Sequence, residues 1–405
     1  MVHKTKLASL VLASILAAMS SATNAAAEKV TLGVLTDISG PYGDVVGEGS
    51  VEATRMAADD CMAAECKGMT VEVISADHQN KPDIGLEVAR QWMDERNVNA
   101  MVDLTNSSIA LGVANMLRDR PQVIGLFSGP GTTRLANDDC IANGFKWMYD
   151  TYSLAVAPVR GLQQKGIDSL YVVTADYAFG HQLEKDAIDA ARGLGMEVKG
   201  SVRHPLNSND FSSFLIGAQA SGAKAIAFAN AGNDTINALK QAAEFGITRN
   251  NETVALLMML TDVHAVGLQQ AQNLTYVTGY FYDLNDRTRS FASRFKDRFG
   301  RLPTMTQAAS YTAAMHYLKA VAKVGSTDGA LVGPAMREMP VSDDVIPEGY
   351  IREDGLLIHD MYLVQVKTPE ESTGPWDYEK LIEVVPGEEA YMPLSASTCP
   401  LLKKN

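Results

Sequence analysis

From Val30 onward the chain alternates short apolar runs with amphipathic stretches, and few folds accept that pattern. The runs are rich in Val, Ile and Leu: Val30–Leu35, Val71–Ser75, Ala100–Leu104, Val123–Phe127, Leu170–Thr174, Val198–Val202, Ala225–Ala229, Val254–Met258 and Val277–Tyr282. Between them lie helix-like stretches, Gly47–Ala64, Asp83–Arg96, Ile109–Arg118, His181–Gly193, Phe211–Ala220, Thr235–Phe245 and Arg287–Phe299. A strand buried on both faces reads as a continuous apolar run. A helix between two such strands makes the sheet parallel, with right-handed crossovers. The expectation is an α/β fold of two lobes. One block runs from Val30 to about Asp150, the other from about Thr151 to Gly279. Two later helices, Arg287–Phe299 and Thr306–Val324, fit the first block. Ile351–Lys367 reads as a hairpin turning at Asp354-Gly355 into His359–Val366. The lobes are therefore expected at 28–150 with 283–349 and at 151–282 with 350–368, leaving 369–405 as a loop-rich tail. The chain would cross between them near Tyr149–Thr151, Tyr280–Asp283 and Glu348–Ile351.

The first residues point to export. Lys4 and Lys6 form a basic start, Leu7–Met19 is uncharged and apolar, and Ala25-Ala26-Ala27 supply small residues for cleavage. This reads as a signal peptide over 1–27, too short and wrongly flanked for a membrane span. No cysteine follows the apolar run to carry a lipid, and no later stretch is long and apolar enough to span a bilayer. The formal charge of −13 becomes two units more negative on cleavage, because only Lys4 and Lys6 are lost. Such a surface repels nucleic acid and anionic lipid. Four cysteines, Cys61, Cys66, Cys140 and Cys399, suggest disulfides in an exported chain. Three pairings are possible. The five-residue spacing makes a local Cys61–Cys66 loop plausible and leaves Cys140 for Cys399, which would tie the tail to the body.

In open parallel sheets ligands bind beyond the carboxyl ends of the strands. Here those ends carry small polar groups. Thr105-Asn106-Ser107-Ser108 follows one strand and Ser128-Gly129-Pro130-Gly131-Thr132-Thr133 the next, each leading into a helix. Free amides at a helix start, with hydroxyls beside them, hold a carboxylate without a formal positive charge. Glycine lets the backbone approach a ligand closely. Plain N-capping accounts for any one of Ser108, Thr132 and Thr133; two such turns in one half favour a ligand shelf. The second block offers Asp176-Tyr177-Ala178-Phe179-Gly180, Asn230-Ala231-Gly232-Asn233-Asp234 and Thr261-Asp262-Val263-His264 after its strands. Aromatic rings between polar turns suit a ligand with an apolar body.

Catalytic patterns are lacking. Ser128 has no GxSxG elbow, the seven histidines are scattered, and no phosphate loop, zinc motif or calcium loop occurs. Neither enzyme activity nor a cofactor or metal is expected.

Gly33-Val34-Leu35-Thr36-Asp37-Ile38-Ser39-Gly40-Pro41, Asp176-Tyr177-Ala178-Phe179-Gly180, Asp210-Phe211-Ser212 and Gln241-Ala242-Ala243-Glu244-Phe245-Gly246 occur in that order. In their order and spacing the chain resembles the periplasmic leucine/isoleucine/valine-binding family, the type I solute receptors of ABC importers. The resemblance covers nearly all of the mature chain. It implies a type I periplasmic-binding-protein fold, two Rossmann-like lobes joined by a three-crossing hinge that closes on a small carboxylated ligand. It also implies a monomer in the periplasm that delivers to an inner-membrane ABC permease. A ligand sensor feeding a membrane signalling protein would look the same. The carboxylate of the ligand maps to Ser107 or Ser108 and to Gly129 through Thr133, with Asn106 and Ser128 in the same turns. Aromatic contacts map to Tyr42 and Phe179, and Asn230 and Phe281 complete the expected set. The family's amino-acid binders place a glutamate for the ligand's ammonium where this chain has Thr261-Asp262. Either Asp262 substitutes, or the ligand lacks an amino group and is an aromatic or other carboxylate. A pocket with Phe179, Met259 and Phe281 would accept an aromatic acid as readily as leucine.

Overall fold

The computed structural model describes residues 29–402; the expected signal peptide lies outside them. Two parallel sheets dominate. The first contains β1 (Lys29–Thr36), β2 (Thr70–Asp77), β3 (Ala100–Asp103), β4 (Ile124–Phe127) and β5 (Gly144–Lys146), in the spatial order β2-β1-β3-β4-β5. The second contains β6 (Ser169–Ala175), β7 (Glu197–His204), β8 (Ala225–Ala229) and β9 (Glu252–Ala255), in the order β7-β6-β8-β9. Every pairing inside these sheets is parallel. The continuous apolar runs are the cause. β3, β4 and β8 are buried at every residue, which requires cover on both faces.

That cover comes from α1 (Gly47–Ala63), α2 (Pro82–Glu95) and α3 (Ser107–Leu117) in the first lobe. In the second it comes from α4 (Thr151–Gln164), α5 (Ala178–Gly193), α6 (Ser212–Ala220) and α7 (Asn233–Glu244). The helices Asp286–Phe299 and Met305–Val324 return to the first lobe and pack on α1. Met305–Val324 packs against α1, β3, β4 and the helix Gly329–Glu338, so it is buried nearly all round and carries no polar stripe. In each sheet the chain starts inside, moves to one side, then jumps across its own first strand. The reversal falls between β1 and β3, and again between β6 and β8. Crevices open at such points.

A third sheet is antiparallel. β10 (Thr275–Thr278) is followed by the hairpin β11 (Gly349–Ile351) and β12 (Leu357–His359), then β13 (Met361–Val366) and β14 (Glu379–Val385). The sheet order is β10-β13-β14. The hairpin turns through Gly355 at φ 82°, as an Asp-Gly turn does. It lies beside the first lobe: Lys146 N donates to Gly355 O at 2.9 Å. So 350–359, expected in the second lobe, abuts β5. The run expected as one strand, His359–Val366, splits at Asp360, whose carboxylate accepts from Gly387 N at 3.1 Å. The tail also holds a strand where loop was expected. β14 sits at a sheet edge with Leu381–Val384 exposed, so no in–out alternation marks it in the sequence. Disulfides join Cys61 to Cys66 and Cys140 to Cys399.

Candidate functional site

The first polar turn is built on strained backbone. Beyond the body of β3, Asp103 (φ 73°), Leu104 (φ 62°) and Asn106 (φ 74°) all take left-handed conformations. Such conformations cost about 1–3 kcal/mol each and persist only where surroundings enforce them. Here the enforcing group is the buried Asp103 carboxylate. It accepts from Thr105 N at 2.9 Å, from Thr36 Oγ1 at 3.0 Å and from the Thr105 hydroxyl. Burial pushes the Asp103 carboxyl upward, and these hydrogen bonds oppose the shift. Asn106 then caps α3, its side chain accepting from Ser108 N at 2.8 Å. The amide of Ser107, first in the helix, has no acceptor within the helix.

The second turn meets the first edge to edge. A Cβ on Gly129 would lie 2.0 Å from Thr105 Oγ1 and 2.1 Å from Asp103 Oδ1, so only glycine fits. Thr132 N donates to Ser107 Oγ at 3.3 Å, which leaves the serine's own proton for another acceptor. Tyr149, at the first lobe crossing, donates its hydroxyl to Gly129 O at 2.5 Å.

The opposite wall belongs to the second lobe. α5 begins at Ala178 with Tyr177 as its N-cap, and no side chain caps it. Phe179, Ala231, Leu257 and Met259 form an apolar face beside it. The walls touch at several points. Tyr42 and Tyr177 share a hydrogen bond of 2.8 Å between hydroxyls. Burial holds both phenols above the ordinary tyrosine range. A Cβ on Gly131 would meet the Phe179 ring at 2.5 Å, and one on Gly232 would meet Tyr42 at 3.1 Å. Asp37 positions Tyr42 by accepting from its amide at 2.9 Å. Between the walls lies a small cavity lined by residues of both. The first lobe lines it with hydroxyl, amide and backbone groups beside Val45 and Val46, the second mainly with carbon, and no Asp, Glu, Lys or Arg lines it among the described residues.

Of the residues expected from sequence, Tyr42, Asn106, Ser107, Gly129 and Phe179 line this cavity. The others lie off the lining. Ser108 is half-buried one step into α3. Ser128 faces Ser310 at 3.0 Å. Thr132 accepts from Arg134 N at 3.4 Å as a cap. Thr133 bridges lobes, with Asp186 Oδ2 at 3.4 Å. Asn230 binds His204 and Thr235. Phe281 packs in the second lobe's core. Asp262 turns back on its own helix start, accepting from Met259 N at 2.9 Å, and burial pushes its carboxyl up to about 7. Beyond the expected set the lining includes Val45, Val46, Thr105, Tyr149, Tyr177, Ala231, Leu257 and Thr306. Tyr177 was legible beside Phe179. Tyr149 and Thr306 come from the crossing and from a distant helix, and no local pattern marks them.

Two α/β lobes facing across a cavity lined at strand ends and helix starts define a ligand-binding protein. The chain belongs to the periplasmic binding protein family, whose family model matches residues 29–374. A periplasmic binding protein from Burkholderia mallei is 40% identical with a TM-score of 0.90, and the match covers 93% of this chain and 100% of that one. A branched chain amino acid ABC transporter periplasmic ligand-binding protein from Burkholderia xenovorans is 36% identical with a TM-score of 0.82, covering 92% of this chain and 99% of that one. Among curated sequences, a Leu/Ile/Val-binding protein homolog of Brucella abortus is 19% identical over 323 residues, 77% of each chain.

Proposed function

We propose that this chain is the exported, non-catalytic receptor of an ABC importer, and that it captures a small carboxylate whose remainder carries no ammonium group. One observation carries the ligand class: the cavity offers hydroxyls and helix-start amides on one wall, an apolar face on the other, and no carboxylate in its lining among the described residues. An amino acid would bring an ammonium into that space. A buried charge without a partner costs several kcal/mol. Asp262, the acid nearest the family's ammonium position, is committed to Met259 N. A carboxylate alone meets the Ser107 hydroxyl and the free amide at the start of α3, both suited to it. The apolar face of Phe179, Leu257 and Met259 suits the body of an aromatic acid or of a branched aliphatic acid lacking the amino group.

The mechanism is closure about the crossings. Ligand bridging the walls stabilises the closed arrangement by its extra contacts there. The closed receptor then docks on an inner-membrane permease, reached through export by the segment 1–27. The Burkholderia xenovorans relative's description supports the importer setting and favours branched-chain amino acids as the alternative ligand.

The test is thermal unfolding and calorimetry of ligand-stripped protein with benzoate, 4-hydroxybenzoate, 4-methyl-2-oxopentanoate and leucine. Saturating a binder at about 100 times its Kd adds about 2.7 kcal/mol of stability. The proposal expects at least one of the three acids without an amino group to bind and leucine to bind weakly. Tight leucine binding with no response to the other three sinks the ligand class.

A further inference from the structure

The tail adds a fourth link between the lobes, one no backbone crossing supplies. β14 belongs to the sheet of β10 and β13. Residues after it run back across the crossings. Tyr391 donates its hydroxyl to Met148 O at 2.6 Å, and His359 Nε2 lies 2.7 Å from the same oxygen. Met148 stands in the first crossing at φ 66°. Gly279, in the second crossing, leaves so little room that a Cβ would lie 2.5 Å from Met148 Cγ. His359 ends β12 beside the first lobe, so the third crossing falls between His359 and Met361 rather than at Glu348–Ile351. One carbonyl therefore gathers all three crossings and the tail. Further on, Ser397 Oγ donates to Ala136 O at 3.4 Å and Thr398 N to Asn137 Oδ1 at 3.2 Å. Cys399 is then joined to Cys140 of the first lobe.

We infer that the segment 386–399, locked by the Cys140–Cys399 disulfide, is a strap that holds the cleft toward its closed state. Opening moves the first-lobe anchor at Cys140 away from the second-lobe anchor at β14. The fourteen residues 386–399 could span up to about 46 Å if fully extended, so length sets no limit. The restraint is the hydrogen bond from Tyr391 to Met148 O at the crossings, with Ser397 and Thr398 fixing the far end of the segment to the first lobe. The disulfide keeps the released tail at high effective concentration for re-forming that bond. Cys61–Cys66 closes a loop inside one lobe and has no such leverage.

This rests on reading the cleft as one that opens and closes. Small-angle X-ray scattering of the full mature chain without ligand tests the strap without knowing the ligand. A compact chain of this size has a radius of gyration near about 21 Å. C140A/C399A should raise it by about 1 Å and speed benzoate dissociation several-fold in stopped flow. Y391F, with the disulfide intact, should move both the same way by less, and it keeps the test alive if the double variant folds poorly. C61A/C66A should change neither. Scattering curves that superimpose for wild type, C140A/C399A and Y391F overturn the strap. If wild type nonetheless contracts on adding benzoate, closure stands without it. If no form contracts with benzoate or 4-hydroxybenzoate, closure on such acids fails and the strap's role falls with it.

Discussion

The two walls of the cleft solve opposite problems. The first lobe presents polar groups that must stay aimed at a ligand in a dry space, so it spends strain and hydrogen bonds to fix them. Three left-handed residues, a buried Asp103 and a glycine with no room for a Cβ hold one small shelf. The second lobe presents carbon, which needs only shape. Phe179 opens α5 and Leu257 and Met259 lie in the turn after β9, none of them with left-handed backbone. On the proposed reading this is a division of labour: the rigid polar wall would recognise the carboxylate common to many ligands, and the apolar wall would choose among their bodies.

Substitutions should break that division unequally. Gly129→Ala should have the largest effect. A methyl there collides with Thr105 Oγ1 and Asp103 Oδ1, so binding of every acid should vanish in calorimetry while the second lobe keeps its far-UV circular dichroism. Retained affinity would show the shelf to be looser than its contacts imply. Ser107→Ala comes next. It removes a hydroxyl that accepts from Thr132 N and can donate to the ligand. A hydrogen bond to a charged group contributes about 1.5–3 kcal/mol, so Kd should rise by at least tenfold, equally for benzoate and 4-methyl-2-oxopentanoate. Phe179→Ala should cost about 1–2 kcal/mol, because flexible Met259 can relax into part of the space. Unlike the serine change, it should weaken the aromatic acid more than the aliphatic one. Equal losses would deny the second wall its selective role.

How far the sequence revealed all this follows the same split. Apolar runs separated by helices dictate both parallel sheets, because burial on two faces leaves a pattern readable along the chain. The polar shelf was legible for a related reason: Asn106, Ser107 and Gly129 stand out against an apolar strand. Ser128, Thr132 and Thr133 stood out equally, yet lie off the lining, since a hydroxyl's direction depends on backbone turns that composition does not encode. Leu257 and Thr306 look like any core or cap residue in the sequence. The antiparallel strand β14 escaped because an exposed edge needs no alternation.

Protonation divides the walls as well, and Asp262→Asn sharpens the contrast with the smallest effect on binding. In the second lobe burial raises Asp186 to about 6, and Asp262 and Glu379 to about 7. A carboxyl raised on folding binds a proton that the unfolded chain has released. Stability from such groups is therefore greatest below the ordinary carboxylate value and is lost as pH rises through about 4 to 7. The first lobe mixes signs. Burial raises Asp37 and Asp103 but lowers His78 and His316 to about 4. Histidines held neutral by the fold lose stability as pH falls from 6.5 toward 4. Asn at 262 keeps an acceptor for Met259 N and cannot ionise. Denaturant unfolding of the variant should therefore lose less stability than wild type between pH 5 and pH 8, while benzoate affinity at pH 7 stays within about twofold. A large loss of leucine affinity instead would place Asp262 against the ligand's ammonium and restore the amino-acid reading, because only a charged partner for an ammonium would be missed so sharply.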